Sequence, residues 1–323
     1  MDVSATQITN LTSRLFLIDR SNSGIVDVQG QDALDLLQRI TTNDLRGMKS
    51  GDVRPTIFVT EKGRILDYVH VLATLNAIIL ITSPGREIDV KSWIDKYTIM
   101  EDVRTSVRLE YQVMYSLIGE NAVQTARQLG INVDVMKHGL VQPAGLAYVI
   151  AEFGTEFVNI LIGQDAAEGL WNKLASSSAN VGIPIIDSNQ FDAWRVTSGI
   201  PSSPGEFNDS FNPYEADLRH AISYTKGCYI GQEIIARLDT YQKVQRHKVG
   251  IVADSVLPVS VLPLDLWVKG DVVGWLTSAV AANGRTIGIG IVKKEFEPGD
   301  MLEARQANQN VPVTITAFPI PVS

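Results

Sequence analysis

Cysteine is almost absent from the sequence, which has 323 residues and a single cysteine at position 228. One cysteine excludes an internal disulfide. It also excludes a zinc or iron–sulfur site made only from the chain's own thiolates, because such sites need several. The sequence therefore predicts no metal site of its own. It favours a reducing compartment, which we expect to be the cytoplasm.

Long apolar runs and an excess of basic residues are also missing. The longest apolar stretch, "NAIILITSP", is too short to span a bilayer, and the beginning of the chain shows neither a signal-peptide core nor a transit-peptide pattern. Asp and Glu number 36 against 28 Lys and Arg, which gives a net charge of -8. Since phosphate neutralisation needs clustered basic residues, we expect no direct nucleic-acid partner, and a local basic groove is the alternative left open. The short apolar stretches predict no membrane partner.

One local pattern is present three times, in "GIVDVQGQDALDLLQRI", "VMYSLIGENAVQTARQL" and "FVNILIGQDAAEGLWNKL". Each copy reads as a strand, a glycine, an Asp or Asn, and a helix with an apolar stripe. The glycine permits a sharp turn, and we expect the Asp or Asn side chain to accept an N–H at the helix start. Three such units predict an α+β fold whose strands and helices pack as ferredoxin-like layers.

The segments between and after these copies are rich in strand patterns. Residues 50–84 read as three strands separated by turns, and residues 86–97 read as a helix. After residue 248, short apolar runs broken by Gly, Pro and Asn predict a small β-barrel. We therefore predict an α+β region of two interleaved subdomains over residues 1–240 and a C-terminal β-barrel domain over residues 241–323.

The segment "KGCYIGQEIIAR", residues 226–237, surrounds the only cysteine with a lysine, two glycines and a carboxylate. Apolar residues with helical spacing follow Gly231, so we expect a helix to begin there, with Cys228 just ahead of its N-terminus. The helix dipole and the charge of Lys226 would both favour a thiolate at Cys228. The alternative is that Cys228 is a small buried apolar residue whose reactivity does not matter.

The same segment resembles the signature of the folate-binding YgfZ-type proteins. These belong to the superfamily of the glycine-cleavage T-protein, a tetrahydrofolate-dependent aminomethyltransferase. Further stretches resemble the superfamily in the same order, namely "LLQRITTNDLRGM", "EKGRILDYVHV", "WRVTSGIP", "NPYEADL", and "GWLTSAV" followed by "IGIGIV". The resemblance covers nearly the whole chain, and the cysteine motif is its most specific part.

The resemblance implies subdomains arranged around a central hole that holds folate. It implies tetrahydrofolate as cofactor, and a role in the assembly or repair of iron–sulfur enzymes, including enzymes of tRNA modification. Folate and iron–sulfur client proteins would be the partners. Cys228 would be the functional thiol and Lys226 its close partner. Lys226 and Arg237 would both belong to the cofactor site, and Arg237 would pair with Glu233.

Three more residues complete the predicted cofactor site. Asp67 lies where the aminomethyltransferases carry the first of two aspartates, and a carboxylate there would stabilise the cationic centre formed in one-carbon transfer. Arg195 keeps its family position and would face an anion. Thr197 stands where those enzymes have a glutamate for the pterin edge, and threonine cannot make that two-acceptor contact. The structural alternatives are that Asp67 ends a turn and that Arg195 pairs with an acidic residue.

Two other functions remain open on the residues alone, as does the question of whether the chain turns over a substrate. One is a folate-dependent aminomethyltransferase of the glycine cleavage system, with a lipoyl carrier protein as partner. Asp67 favours it, whereas Thr197 and Cys228 argue against it. The other is a non-catalytic scaffold that binds a partner protein.

Overall fold

A computed structural model describes residues 2–3, 15–108, 113–141, 145–240, 244–257, 259–306 and 309–321. The chain divides into two compact units that alternate along the sequence. We call the described residues within 13–188 and 220–232 the layered unit. We call those within 1–12, 189–219 and 233–323 the barrel unit.

The secondary structure is mixed. The strands are β1 Asp2–Val3, β2 Phe16–Asp19, β3 Gly24–Gln29, β4 Val53–Val59, β5 Ile65–Ala73, β6 Ile78–Thr82, β7 Arg104–Val107, β8 Val113–Gly119, β9 His138–Val141, β10 Gly145–Glu152, β11 Thr155–Ile162, β12 Ile185–Ile186, β13 Arg246–Ala253, β14 Leu264–Val268, β15 Asp271–Ala282, β16 Arg285–Lys293, β17 Met301–Gln306 and β18 Gln309–Thr316. The α-helices are α1 Ala33–Ile40, α2 Glu87–Tyr97, α3 Ala122–Gln128, α4 Gln164–Val181, α5 Ser188–Ser198 and α6 Gln232–Thr240, and short 3-10 helices cover Arg219–Ala221 and Val259–Val261.

The first sheet of the layered unit has five strands in the order β4-β5-β6-β3-β7. Helices α1 and α2 cover one of its faces. Leu36, Leu37 and Ile40 recur at helical spacing in α1, so they form one apolar stripe, which packs in the same core as Val69 and Val71 of β5. Burial of this stripe holds α1 on the sheet.

The second sheet of the layered unit has six strands in the order β12-β2-β8-β11-β10-β9, and α3 and α4 cover one of its faces. Its other face meets the first sheet. Leu72 and Ile79 of the first sheet share a buried cluster with Met114, Tyr148 and Leu161 of the second. The layered unit is therefore built as helices, sheet, sheet, helices, and we call the space between its sheets the inter-sheet layer.

The barrel unit contains a closed sheet. Strand β15 pairs with both β14 and β16, which closes the ring β15-β14-β17-β18-β13-β16, and β1 adds to β15 from outside the ring. A Cβ placed on Gly288 of β16 would lie 2.7 Å from the backbone carbonyl oxygen of Ser278 in β15, so the close approach of these strands favours a glycine there. Helix α5 packs on the barrel through Ala193 and Val196.

The predicted fold class, α+β layers with a C-terminal β-barrel, is confirmed. The central folate-binding hole and the domain boundary after residue 240 stay predictions. The three strand–glycine–helix units are confirmed as β3 with α1, β8 with α3, and β11 with α4. Gly30 shows why the turn needs glycine, because its φ is 114° and a Cβ would lie 1.8 Å from the carbonyl oxygen of Asp102.

The predicted capping of these helices by Asp and Asn side chains is wrong. Asp32 and Asn121 precede α1 and α3, but neither side chain bonds to the start of its helix. The carboxylate of Asp32 instead accepts the backbone N–H of Asp102 at 2.8 Å. In the third copy Gly163 occupies the capping position, and Asp165 lies in the first turn of α4.

Candidate functional site

The cysteine segment forms a loop that is fixed to the end of α1. The backbone N–H of Ser223 donates to the carbonyl of Thr42 at 3.0 Å, and that of Ile230 donates to the carbonyl of Arg39 at 3.0 Å. We call residues 223–231 the signature loop. Its two ends are thus bonded to residues 39–42, which belong to another stretch that resembles the superfamily.

Lys226 is the central anchor of the signature loop and is only 5% exposed. Its ammonium donates to three backbone carbonyls, at 2.7 Å to Gln38, 2.7 Å to Thr41 and 2.6 Å to Asn43. These carbonyls lie at the C-terminal end of α1, where the helix dipole favours a cation. Burial lowers the pKa of Lys226 to about 7 against the opposing influence of Asp44. Three acceptors require three N–H groups, so this geometry suits the ammonium form.

The structure gives Lys226 a different role from the one predicted. An ammonium has three N–H donors, and all three point at backbone carbonyls, which leaves none for the thiol of Cys228. The Lys226 Nζ also lies 5.0 Å from the centre of the Tyr229 ring, within cation–π range. Lys226 is therefore a positioning residue for the loop rather than a partner of the sulfur.

Tyr229 and Gly231 fix the far side of the loop. The Tyr229 ring is buried, and burial raises the pKa of its phenol. Gly231 has a φ of 78°, and a Cβ there would lie 2.6 Å from the carbonyl oxygen of Thr60. Only glycine fits this close approach. Helix α6 begins at Gln232, one residue after the predicted start.

Cys228 lies between these anchors and is exposed to solvent. The interpretation of Cys228 as a buried apolar residue is therefore wrong. Its neighbours Lys226 and Tyr229 face inward, so the chain holds both sides of the cysteine while the thiol faces water. An exposed thiol on a fixed loop can act as a nucleophile, take part in thiol exchange or ligate a soft metal.

Asp67 lies elsewhere in the layered unit, on β5, and is fully buried. Its Oδ2 accepts the backbone N–H of Ser83 at 3.0 Å, whereas its Oδ1 has no hydrogen-bond partner. Burial raises the pKa of this carboxyl to about 6, and the contacts with Ser83 and the charge of Arg86 only partly oppose that rise. Because side chains alternate along a strand, Tyr68 points to the opposite face.

Arg195 and Thr197 lie on α5 in the barrel unit, and their polar groups are engaged there. Arg195 Nε donates to Asp192 at 2.7 Å, and its Nη1 lies 3.9 Å from the buried carboxylate of Glu206. The Thr197 hydroxyl donates to the carbonyl of Ala193 at 2.7 Å, and Thr197 has no exposed surface. These contacts agree with the structural alternative for Arg195, and they leave the Thr197 hydroxyl no proton for a cofactor.

Arg237 is exposed in the last turn of α6. Glu233 lies in the first turn, as predicted, but within the described residues no ion pair joins it to Arg237. The predicted charge pair is therefore wrong, whereas a contact of Arg237 with a cofactor stays a prediction.

Sequence reasoning missed two features of this site. The acceptors for Lys226 are backbone carbonyls, which leave no mark in the residue types. A second group of polar residues is brought together from three distant segments, so no local motif could reveal it; its members are Tyr68, His70, Glu152 and His220.

Within the described residues, no group of three or more His, Cys, Asp and Glu side chains is arranged to hold a metal ion, and no helix is long and apolar enough to cross a membrane.

Comparison with known proteins finds one protein family, several relatives and a solved structure that are similar to this chain. The family described as the GCVT N-terminal domain matches residues 1–226. A chloroplastic protein of Arabidopsis thaliana with a provisional transferase name is 29% identical over 293 residues, which is 86% of this chain and 65% of that protein. The aminomethyltransferase of Chlorobium phaeovibrioides is 24% identical over 234 residues, 69% of this chain and 64% of that one.

The aminomethyltransferase of Halalkalibacterium halodurans is 23% identical over 295 residues, which is 88% of this chain and 80% of that one. The chain spans slightly less than two thirds of the length of the Arabidopsis and Chlorobium relatives. Among solved structures, the glycine cleavage system aminomethyltransferase T from Bartonella henselae has a TM-score of 0.78 at 16% identity, covering 98% of this chain and 88% of that one. At this identity the likeness shows the fold.

Proposed function

The chain belongs to the family of the GCVT N-terminal domain, and on that basis we propose that it is a tetrahydrofolate-binding accessory protein for the assembly or repair of iron–sulfur enzymes. Its working group would be the thiol of Cys228. The observation that carries this proposal is the exposure of that thiol on a loop whose flanking residues are anchored. The resemblance of the loop to the YgfZ-type signature supports the iron–sulfur role.

A single thiol at Cys228 can serve iron–sulfur enzymes in two ways, as one ligand of a cluster or by thiol–disulfide exchange. A single chain offers one thiolate, whereas iron–sulfur clusters are held by several, so a client protein or a small thiol must supply the others. Alternatively, the thiolate can attack a disulfide on a client and release one thiol, with the second freed by a further thiol. Both routes need a reachable sulfur, which the anchored loop provides.

Tetrahydrofolate fits the predicted cofactor residues only in part. Asp67 keeps a buried carboxylate oxygen without a partner, which is the acceptor that a ring N–H of the cofactor would need. Arg237 is exposed and could meet an anionic tail. The polar groups of Arg195, Thr197 and Lys226 are engaged by the protein itself. Asp67 would therefore be the cofactor contact within the layered unit, and we expect the affinity for tetrahydrofolate to be modest.

A complementation experiment tests the role of the thiol. In a strain that lacks the protein, the activity of an iron–sulfur enzyme is measured after expression of wild type, Cys228→Ala or Thr225→Ala. Thr225 is an exposed residue of the same loop and serves as the matched control. We expect wild type and Thr225→Ala to restore activity and Cys228→Ala to fail. Full restoration by Cys228→Ala would refute the proposal.

A second candidate function is aminomethyl transfer from a lipoyl carrier protein to tetrahydrofolate. The unpartnered oxygen of Asp67 favours it, because a fixed anion stabilises the cationic centre of one-carbon transfer. Relatives named aminomethyltransferase add support. Incubation with aminomethylated carrier and tetrahydrofolate separates the candidates, because only the transferase forms methylene-tetrahydrofolate.

Calorimetric titration with tetrahydrofolate tests what both candidates share. Saturable binding is expected, and its absence would leave the non-catalytic scaffold as the better explanation.

We expect the protein in the cytoplasm, although the name of the Arabidopsis relative places that protein in the chloroplast. Fractionation of cells with an antibody against the protein checks this expectation.

A further inference from the structure

The outer edge of β4 is covered by residues 41–43, which we call the edge segment. Strand β4 ends the order of its sheet, so among the described strands it has a neighbour, β5, on one side only. On the other side, Thr41 and Phe58 form an isolated β-bridge. Next to it, the N–H of Thr42 donates to the carbonyl of Ile57 at 3.1 Å. Buried backbone groups need partners, and the edge segment supplies them along this edge.

Side chains of the edge segment and of β4 complete this cover. The N–H of Ile57 donates to the hydroxyl of Thr42 at 3.1 Å. The N–H of Asn43 donates to the hydroxyl of Thr56 at 2.9 Å, and its side-chain amide donates to the carbonyl of Pro55 at 2.7 Å. Thr42, Thr56 and Ile57 have no exposed surface, so water does not compete for these contacts.

The edge segment also holds the signature loop. The hydroxyl of Thr42 donates to the carbonyl of Ala221 at 2.7 Å, just before the loop begins. The carbonyl of Thr42 accepts the N–H of Ser223 at 3.0 Å. The carbonyls on either side of Thr42 accept the ammonium of Lys226. The edge segment therefore lies between β4 and the signature loop and is bonded to both.

Thr42 is the residue at which the two sets of contacts meet. Its hydroxyl accepts from Ile57 and donates to Ala221 at the same time, which one hydroxyl group can do. Valine has a similar shape but no hydroxyl. In place of Thr42 it would leave the N–H of Ile57 and the carbonyl of Ala221 without these partners, and unpaired buried groups are costly.

These contacts bear on Cys228 through the loop that carries it. Ser223 and Lys226 are two of the residues by which the signature loop is held, and both are bonded to the edge segment. A shift of the edge segment away from β4 would move both points of attachment. The exposed thiol of Cys228, two residues after Lys226, would then lose its fixed position.

We propose that Thr42 is a positioning residue for Cys228, because its hydroxyl couples the signature loop to the edge strand of the first sheet. The inference rests on the proposed function, since the position of the thiol matters if the thiol is the working group. It adds a requirement that the loop itself does not show, namely a hydroxyl at position 42.

The single cysteine allows the loop to be observed directly. A nitroxide label on Cys228 reports the motion of the loop in its EPR spectrum, without client or folate. We expect a restricted label in the wild type and in Thr42→Ser, which keeps the hydroxyl, and a shift to a more mobile spectrum in Thr42→Val. Hydrogen exchange at the N–H of Ser223 should be about tenfold faster in Thr42→Val, the size expected from the loss of one buried hydrogen bond.

Thr286→Val is the matched control. The hydroxyl of Thr286 accepts the N–H of Leu257 at 2.7 Å and donates to the carbonyl of Ser255 at 2.8 Å, and Thr286 has no exposed surface. Because Thr286 belongs to the barrel unit, we expect this variant to lose similar stability and to keep the restricted label.

Three results of the label experiment would overturn the proposal. They are a label as restricted in Thr42→Val as in the wild type, a label equally mobile in Thr42→Val and Thr286→Val, and a fully mobile label in the wild type. The last of these does not depend on whether a variant folds.

Complementation connects the position of the loop to the function. In the strain that lacks the protein, the activity of an iron–sulfur enzyme is measured at matched protein levels, and we expect a loss with Thr42→Val but not with Thr42→Ser or Thr286→Val. Full restoration by Thr42→Val would overturn the positioning role alone. Full restoration by Cys228→Ala would refute the proposed function, and the label experiment would then still decide whether Thr42 holds the loop.

Discussion

The ammonium of Lys226 and its three carbonyl partners hold the signature loop to the end of α1. Methionine has a similar length but no donor, so Lys226→Met would leave three carbonyls without their partner. Hydrogen bonds to charged groups contribute about 1.5–3 kcal/mol each, so we expect a loss of about 3 kcal/mol or more in the free energy of unfolding.

Urea unfolding of Lys226→Met checks this expectation, with Lys62→Met as the control because Lys62 is an exposed lysine in a turn. The control should change stability by no more than about 0.5 kcal/mol. Equal stability of Lys226→Met and wild type would show that the carbonyl contacts do not anchor the loop.

The sequence singled out Cys228 and Lys226 in this loop, but the structure gives Lys226 contacts other than the predicted one with the thiol. The spacing Lys-Gly-Cys suggested a charge beside a thiol, because sequence shows only which side chains are near in the chain. The ammonium instead donates to the backbone carbonyls of Gln38, Thr41 and Asn43, which are all more than 180 residues away in the sequence. Every residue has a carbonyl, so no residue pattern can mark such acceptors.

At the scale of the element, the signature loop depends on two glycines with opposite surroundings. Gly231 has a positive φ of 78°, and its Cβ position lies 2.6 Å from the Thr60 carbonyl oxygen. The Cβ position of Gly227 has open space around it. We expect Gly231→Ala to lose at least about 2 kcal/mol of stability, from backbone strain and overlap together.

Gly227→Ala is the matched control, because it adds the same methyl group one residue before Cys228 and meets nothing within 4 Å. Its unfolding free energy should stay within about 0.5 kcal/mol of wild type. Alkylation of Cys228 gives a second measurement, since a displaced loop changes the rate at which the thiol reacts. If the two variants were equally stable, close contact with Thr60 would not explain the need for Gly231.

Elements with a strong period were predictable, whereas their ends and pairings were not. The strands β4, β5 and β6 and the helices α1 and α2 follow from local alternation and spacing. The predicted side-chain cap at Asp32 is absent because its carboxylate accepts the backbone N–H of Asp102 instead. That contact joins segments 70 residues apart, so local sequence does not reveal it. Closure of the barrel by β15 and β16 also depends on pairing that local patterns do not specify.

Across the whole molecule, the buried acidic residues differ in how well they are compensated. Asp27 lies 2.6 Å from Arg108, and Glu215 lies 2.7 Å from Arg246. Asp67 instead has one backbone N–H on one oxygen and no hydrogen bond on the other. Because this burial is poorly compensated, the titration of Asp67 should affect the stability of the folded chain.

The sign of that effect follows from the pKa. Burial raises the pKa of Asp67 from 3.8 to about 6, so between these values the folded state holds a proton that the unfolded state has lost. The free energy of unfolding should therefore fall as the pH rises through this window, and the pKa difference corresponds to about 3 kcal/mol.

Asp67→Asn cannot titrate, and we expect its stability relative to wild type to improve by up to that amount between about pH 4 and about pH 7. Urea unfolding over this range measures the difference, with Asp35→Asn as the control because the side chain of Asp35 is 71% exposed. A difference between Asp67→Asn and wild type that does not change with pH would mean that the buried carboxyl group finds a compensating partner, and the argument that its free oxygen awaits a ligand would then lose its basis.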